Sequence, residues 1–224
     1  MRNFIKKITH PFLRIGTKIW FSKPRKYAYK GVKVMVHPDV FPPHYTISTK
    51  ILLDFIDNLG LAKTSLLELG CGSGIISLFA ASKGAKVTAT DINNKAIEYL
   101  KIASLKNKLP ITVLFSDLFS ELANNYFDFI IINPPYYPKN PKNCKERAWF
   151  CGDDFEYFKN IFYQLSKREK TETIYMILSE DCELKTIKNI ANSFEYQFTV
   201  VLEKTVFKEH NFIYQLEKKE ITSF

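Results

Sequence analysis

The stretch LLELGCGSG at residues 66–74 decides the fold of this chain. Its first half is apolar apart from Glu68, as expected of a buried strand, and its second half carries three glycines spaced by two. Glycine lets the backbone turn tightly and approach a ligand without a side-chain clash. The apolar residues 75–82 that follow favour a helix. A strand, a glycine turn and a helix in this order are typical of nucleotide-binding α/β domains.

Strands and helices alternate on both sides of this turn. We predict helices at residues 47–59, 75–82, 94–107, 154–165 and 183–193, and strands at 32–36, 65–69, 86–90, 111–115, 127–132 and 173–178. This alternation predicts a doubly wound, Rossmann-like α/β domain with a parallel sheet. Near the end, strands at 196–202 and 212–216 follow one another without a helix. A hairpin there would make the last strand antiparallel.

Acidic residues follow or end three of the predicted strands. Glu68 precedes the glycines, Asp91 ends the next strand 21 residues after Gly70, and Asp117 follows the third strand. The Asp91 carboxylate can accept hydrogen bonds from both hydroxyls of a ribose. The Asp117 carboxylate can accept a hydrogen bond from an adenine amine. Dinucleotide sites prefer G-x-G-x-x-G and hold a pyrophosphate, which Glu68 would repel. S-adenosylmethionine has a sulfonium and an ammonium group and no phosphate, so the pattern favours it as the cofactor. A turn without a ligand, and a capping role for Asp117, are the structural alternatives.

The tetrapeptide Asn133-Pro134-Pro135-Tyr136 follows the apolar strand at 127–132 and provides the predicted catalytic residues. The lone pair of an amide or aromatic amine is delocalised into the π system, which makes the nitrogen a poor nucleophile. Methyl transfer therefore requires that the lone pair be aligned with the methyl group. The side-chain oxygen of Asn133 and the carbonyl of Pro134 are two acceptors that could grip the two N–H bonds of such a nitrogen. Tyr136 offers a flat face for a planar group. A proline-rich turn without catalytic function is the alternative.

The positive charge of the chain lies at its start. The net charge is +9, and residues 1–30 contain nine Lys or Arg and no Asp or Glu, while the rest of the chain has 23 of each sign. Apolar residues recur there at helical spacing, at Phe4, Ile8, Phe12, Ile15 and Ile19. We therefore divide the chain into a basic amphipathic helical arm, 1–31, and a catalytic domain, 32–224. The arm could be a docked helix, a contact with RNA, DNA or a ribonucleoprotein, or a membrane-surface helix.

Composition limits the compartment and excludes some classes of site. The chain shows no signal peptide and no apolar run near the roughly 18 residues that a membrane span needs. The four cysteines form no C-x-x-C pair and no metal-ligand spacing with the four histidines. We expect reduced thiols, no metal and a cytoplasmic protein.

With these motifs the chain resembles class I S-adenosylmethionine-dependent methyltransferases. It is most similar to the release-factor glutamine methyltransferases and their small-methyltransferase-domain relatives. The resemblance covers residues 32–217 and rests on the motifs at 68–74, 116–117 and 133–136, on Asp91, and on the turn AWFCGDD at 148–154. It implies a seven-stranded sheet with a reversed last strand, N-methylation of an amide or amine, and a loop at 40–46 over the methionine end of the cofactor. The predicted cofactor contacts are Glu68, Gly70, Cys71, Gly72, Gly74, Asp91, Ile92, Asp117 and Asn133.

The substrate is the open question at this level. The first hypothesis is a glutamine side-chain amide in a protein, either a release factor or a ribosomal protein. The second is an exocyclic amine of adenine or guanine in RNA or DNA, which the enzyme would have to extrude from its stack. A small-molecule N-methyltransferase and a non-catalytic S-adenosylmethionine-binding module are further alternatives. The large helical N-terminal domain of the bacterial glutamine enzymes has no counterpart here, where only the basic arm precedes residue 32.

Overall fold

A computed structural model describes residues 22–44, 46–122, 125–169, 172–206 and 208–219. The arm's helical pattern at Phe4–Ile19 lies outside these ranges. The described chain begins with an antiparallel hairpin of two strands, β1 (Arg25–Tyr29) and β2 (Val32–Val36). The sequence analysis assigned Arg25 and Lys26 to the basic arm. In the structure they belong to β1, a strand that was not predicted.

The main sheet has seven strands, which confirms the predicted α/β fold. They are β3 (Ser65–Leu69), β4 (Lys86–Asp91), β5 (Thr112–Phe115), β6 (Phe129–Ile132), β7 (Thr173–Ser179), β8 (Tyr196–Val206) and β9 (Glu209–Lys218). Their order in the sheet is β5-β4-β3-β6-β7-β9-β8. Strands β3 to β7 are parallel, and β9 runs antiparallel to both β7 and β8. The last strand is therefore reversed, as predicted, and the tail hairpin is longer than the sequence indicated.

Five described helices cover the two faces of this sheet. They are α1 (Ile47–Ile56), α2 (Ile75–Ser82), α3 (Asn94–Asn107), α4 (Glu156–Ser166) and α5 (Leu184–Ser193). Helices α2 and α3 have the bounds predicted from the sequence. At the start of α3, the Asn93 side chain accepts a hydrogen bond from the Lys95 amide, as an N-cap should. Within the described ranges, no helix has the length and apolar character required to cross a bilayer.

Alternating side chains of the central strands enter two separate cores. Leu66 and Ile131 pack in the core beneath α1, α2 and α3, whereas Leu67, Ile130 and Ile132 pack in the core beneath α4 and α5. Successive residues of a strand point to opposite faces, and both faces of a parallel sheet are covered by helices. This explains why β3 and β6 are apolar at almost every position. The two layers hold the sheet rigidly, so that the ends of its strands can position a site.

The amino-terminal hairpin is fastened to the helical layer by polar contacts. The Asn107 amide at the end of α3 donates to the Lys33 carbonyl at 2.7 Å, and its oxygen accepts from the Lys33 amide at 3.0 Å. The Tyr29 hydroxyl donates to Asp54 of α1 at 2.7 Å. Between this hairpin and α1, Val40 and Phe41 lie near the carboxyl ends of the parallel strands.

Candidate active site

A cavity of about 350 Å³ lies at the carboxyl ends of the parallel strands. Its wall combines the glycine turn after β3, the end of β4, the segment after β5 and the loop after β6. These segments carry most of the residues predicted from the sequence, namely Glu68, Gly70, Cys71, Gly72, Asp91, Ile92, Asp117 and Asn133. Ligands of doubly wound sheets bind at this edge.

The glycine turn has the geometry that its sequence predicts. Gly70, Gly72 and Gly74 have φ angles of +70°, +49° and +70°, in the region that L side chains rarely adopt. The Cys71 amide donates to the Thr90 carbonyl at 2.8 Å, which ties the turn to β4. Gly74 does not line the cavity, because it packs against α3. A Cβ atom there would lie 2.2 Å from a methyl carbon of Leu100.

Glu68 is a buried carboxylate between the turn and α2. The same Glu68 carboxyl oxygen, Oε2, accepts a 2.8 Å hydrogen bond from the Ser77 amide and a second hydrogen bond from the Ser77 hydroxyl. Burial raises its pKa to about 8, and nearby Asp91 adds to the rise, while the Ser77 hydrogen bonds oppose it. Glu68 thus orients the first turn of α2 and also contributes an acidic group to the cavity wall.

Asp91 connects β4 to the glycine turn. One carboxylate oxygen accepts from the Gly72 amide and the other from the Asn93 amide, both at 2.8 Å. Burial raises the pKa of Asp91, although the backbone donors favour its ionised form. Neither Glu68 nor Asp91 forms a salt bridge with a described residue. One buried and one half-buried carboxyl group, neither paired with a described cation, make the cavity suited to a cationic ligand.

Asp117 lies in a turn that the Ser116 side chain stabilises. The Ser116 hydroxyl donates to the Leu118 carbonyl at 2.8 Å and accepts from the Glu121 amide at 3.2 Å. Leu118 takes a positive φ of +53°. The Asp117 carboxylate is exposed at the cavity and caps no described backbone amide. The capping role considered from the sequence therefore belongs to Ser116.

The tetrapeptide divides between the cavity and the protein interior. Asn133 lines the cavity, and its side chain makes no hydrogen bond with a described residue, so both its oxygen and its amide group are available. Pro135 also lines the cavity, whereas Pro134 is buried behind it. Tyr136 is half-buried outside the cavity wall, with its ring centroid 4.7 Å from that of Tyr137. Burial raises the pKa of Tyr136, and the neighbouring Tyr137 adds to the rise.

Two loops meet above the cavity. Phe41, from the segment before α1, lines the cavity and has its ring centroid 4.7 Å from that of Trp149. Trp149 lies in the loop after β6, which folds back on the tetrapeptide. There the Tyr137 amide donates to the Trp149 carbonyl at 3.1 Å, and the Cys151 amide donates to the Tyr137 carbonyl at 3.0 Å. This strand-like pairing places the loop 141–152 along the cavity.

Sequence reasoning missed several residues of the wall. Tyr157 and Asn160 of α4 and Arg147 of the covering loop line the cavity. In the sequence, Tyr157 and Asn160 are two polar positions of an amphipathic helix, and their spacing of three is the one signal that could have placed them on a common face. No group of three or more His, Cys, Asp or Glu side chains in the described ranges could hold a metal ion.

Comparison with known proteins identifies the family. Residues 31–148, just over half of the chain, match the Methyltransferase small domain family. The chain is 36% identical over 110 residues to a candidate protein N5-glutamine methyltransferase of Methanocaldococcus jannaschii, a match that covers 49% of this chain and 53% of that protein. It is 33% identical over 125 residues to ribosomal RNA small subunit methyltransferase C of Actinobacillus pleuropneumoniae, which covers 54% of this chain and 36% of that protein.

The chain therefore matches about half the length of the first relative and about a third of the second. Among solved structures, it resembles the 16S rRNA N2 G1207 methyltransferase of T. thermophilus in complex with AdoMet and guanosine. The TM-score is 0.61 at 17% identity, over 86% of this chain and 50% of that chain. The family match and the shared fold are consistent with the acidic cavity at the carboxyl ends of the strands. The chain belongs to the methyltransferase small domain family.

Proposed function

We propose that this enzyme methylates a planar nitrogen, and that this nitrogen is a glutamine side-chain amide in a protein substrate. The observation that supports the reaction is the Asn133 side chain, which faces the cavity without a partner among the described residues. A buried or half-buried amide generally finds a hydrogen-bond partner within the protein. The Asn133 side chain is therefore available as a hydrogen-bond acceptor for a ligand.

The residues of the chain fit the cofactor by charge. S-adenosylmethionine supplies a methyl group on a positively charged sulfur. The carboxyl group of Glu68 is buried and ionises beside a cation, Asp91 is a half-buried carboxylate, and Asp117 provides an exposed carboxylate in the same cavity. We assign Asp91 to the ribose hydroxyls, Asp117 to the adenine amine and Glu68 to the cationic methionine end. Backbone groups of Gly70, Cys71, Gly72 and Ile92 complete the contacts.

The tetrapeptide then acts by alignment and not by strong base catalysis. The oxygen of Asn133 and the carbonyl of Pro134 accept the two N–H bonds of the substrate amide, which directs the nitrogen lone pair away from them and into the cavity. Both hydrogen bonds strengthen as positive charge develops on that nitrogen. Pro134 is held rigid by Pro135 on its carbonyl side and by burial. The surplus proton on nitrogen leaves to water after transfer.

Two observations favour a protein amide. The archaeal relative at 36% identity is described as acting on glutamine. Acidic residues also flank the outer side of the tetrapeptide. Burial raises the pKa of Tyr137, and the charges of Asp181 and Glu209 add to the rise. Negative charge beside Tyr136 and Tyr137 disfavours the close approach of a phosphate backbone.

A nucleobase amine is the second candidate, and a different surface supports it. Lys142, Lys145 and Arg147 form no salt bridge with a described residue, and Arg147 borders the cavity. They lie in the loop after β6 and add to the basic residues of the arm. Such cations attract RNA. The relative at 33% identity is an rRNA methyltransferase.

The deciding experiment transfers labelled methyl groups from S-adenosylmethionine to a cell extract, with Asn133→Ala as the matched control. Label that resists nuclease, is released by protease and is recovered as N5-methylglutamine after complete enzymatic digestion supports the proposal. Label lost with nuclease and recovered as a methylated base would replace it with the second candidate. Asn133→Ala should lower turnover by about 100-fold or more and leave cofactor affinity nearly unchanged. An active variant would remove the catalytic assignment.

A further inference from the structure

Helix α4 places two polar side chains in the cavity that the proposed reaction does not use. Tyr157 and Asn160 lie about one turn apart and line the same cavity as Asp117. The amino-terminal end of α4 is held against the covering loop, because the Tyr157 amide donates to the Cys151 carbonyl at 2.9 Å. Their position is therefore fixed by the fold.

Hydrogen-bond chemistry determines which end of the Asn160 amide faces the cavity. The Phe119 amide donates to Gln164 Oε1 at 2.9 Å, and a backbone N–H can only donate, so the oxygen of Gln164 faces Phe119. The Gln164 NH₂ group then faces Asn160 and donates to its Oδ1 at 3.1 Å. Because the oxygen of Asn160 is occupied, its NH₂ group is the end left for a ligand. This Nδ2 has no partner among the described residues and is not sealed from the cavity.

The same relay brings α4 next to the proposed adenine contact. Phe119 is two residues after Asp117, so the bond to Gln164 ties the segment that carries Asp117 to the helix that carries Asn160. Tyr157 is close to both acidic groups. Burial raises its pKa, and the charges of Asp91 and Asp117 add to the rise. The cavity thus presents an acceptor at Asp117 and a donor at Asn160, and the Tyr157 phenol is also part of its lining.

We infer that Asn160, oriented by Gln164, and Asp117 together read the Watson–Crick edge of the cofactor's adenine. The inference rests on the proposed placement of adenine at Asp117. Adenine presents a donor at its 6-amino group and an acceptor at N1. Asp117 accepts from the first and Asn160 Nδ2 donates to the second. Tyr157 closes the site between this edge and the ribose. Gln164 is a positioning residue, since it acts through Asn160.

The arrangement determines which purines the cavity accepts. A 6-oxopurine has an acceptor at position 6 and a donor at N1, the reverse of adenine. It would place an oxygen against the Asp117 carboxylate and an N–H against the Asn160 NH₂ group. Each mismatch leaves polar groups unpaired and costs a factor of about 5 or more in affinity. The two mismatches multiply, so the wild-type protein should bind S-adenosylhomocysteine at least about 25-fold more tightly than S-inosylhomocysteine.

The test measures the dissociation constants of both probes by calorimetry. Asn160→Asp is close in shape and replaces the donor with acceptors. It should weaken the binding of S-adenosylhomocysteine and reduce the preference for this probe over S-inosylhomocysteine by about tenfold. Gln164→Glu keeps the acceptor for Phe119 but removes the donor to Asn160. The Asn160 amide should then rotate to donate to the new carboxylate and present its oxygen to the cavity. This variant should also narrow the preference, although Asn160 is intact.

Tyr163→Phe on the exposed side of α4 and Asn192→Asp on α5 are the matched controls and should keep the wild-type ratio. If both test variants keep that ratio while they fold normally, the inference is wrong. A loss of affinity for both probes by the same factor also overturns it, because a purely structural role would have that effect. Failure of the proposed adenine placement is distinguishable, since Asp117→Asn would then change neither affinity.

Discussion

The Asp91 carboxylate accepts a hydrogen bond from the Gly72 amide at 2.8 Å, so the residue that ends β4 holds the centre of the glycine turn. Its second oxygen holds the Asn93 amide at the N-cap of α3. A carboxylate has about four acceptor positions, so both backbone contacts leave capacity for a ligand hydroxyl. Asp91 therefore stabilises the turn before any ligand binds, and the proposed ribose site is formed in advance.

Replacement of Asp91 should separate cofactor binding from folding. We expect Asp91→Asn to lower the affinity for S-adenosylmethionine by about tenfold or more, because hydrogen bonds to a charged acceptor are lost. The amide oxygen preserves one backbone contact, so the loss of thermal stability should be smaller than in Asp91→Ala. Calorimetry and thermal unfolding measure the two effects. Glu98→Ala, an exposed acidic residue of α3, is the control. Unchanged affinity in Asp91→Asn would show that the ribose binds elsewhere.

Glu68 should make both stability and cofactor binding depend on pH. Its pKa is raised from the ordinary 4.5 to about 8 by burial. Between these values the folded protein keeps a proton that the unfolded chain has lost. The free energy of unfolding should therefore fall as pH rises from about 4.5 to about 8, by a few kcal/mol at most. In Glu68→Gln this part of the slope should be absent.

A cationic cofactor stabilises the ionised form of Glu68, so its binding should release a proton below about pH 8. The affinity for S-adenosylmethionine should then decrease as pH falls from 8 to 6, and Glu68→Gln should flatten this dependence. Calorimetry in buffers of different ionisation enthalpy counts the protons. Binding without proton release at pH 7 would mean that Glu68 stays neutral beside the cofactor.

The glycines of the turn should differ in their tolerance of a side chain. Gly70 and Gly74 share a φ of +70°, but a Cβ meets no atom within 4 Å at Gly70 and lies 2.2 Å from Leu100 Cδ1 at Gly74. Gly70→Ala should lower the free energy of unfolding by about 1 kcal/mol, through backbone strain alone. Gly74→Ala adds a clash with a fully buried side chain and should cost about 3 kcal/mol. Denaturant titration without cofactor compares them, and equal losses would contradict the packing role.

Much of the site followed from local sequence patterns. The glycine turn, Asp91 and the helix at 75–82 are encoded by short-range periodicity and turn chemistry, so the structure agrees with them closely. Asn133 was found in the same way. The strand β6 starts at Phe129, two residues later than predicted, because the Asp128 side chain accepts from the Ser65 amide instead. A contact between residues 63 positions apart leaves no local signal.

Several contacts that sequence reasoning missed join residues far apart in the chain. The chain from Phe119 through Gln164 to Asn160 spans the end of β5 and a helix beyond β6. Its members are ordinary residues in their own segments. The sequence analysis left a capping role for Asp117 as an alternative, and the hydrogen bonds show that the Ser116 hydroxyl stabilises this turn instead. Tertiary partners, and not propensity, decide such cases.

The contact between Phe41 and Trp149 should control how fast the cofactor leaves. The two rings belong to loops on opposite sides of the cavity, and a Cβ placed on Gly72 would lie 3.7 Å from Phe41 Cβ, so Phe41 lies over the glycine turn. An aromatic pair contributes about 0.5–1.5 kcal/mol, so Phe41→Ala should speed release of S-adenosylhomocysteine by about 2- to 12-fold. Stopped-flow fluorescence of Trp149 in a Trp20→Phe background measures the rate. Val200→Ala on β8 should have no effect. A release rate that Phe41→Ala leaves unchanged would show that the two loops open independently of this contact.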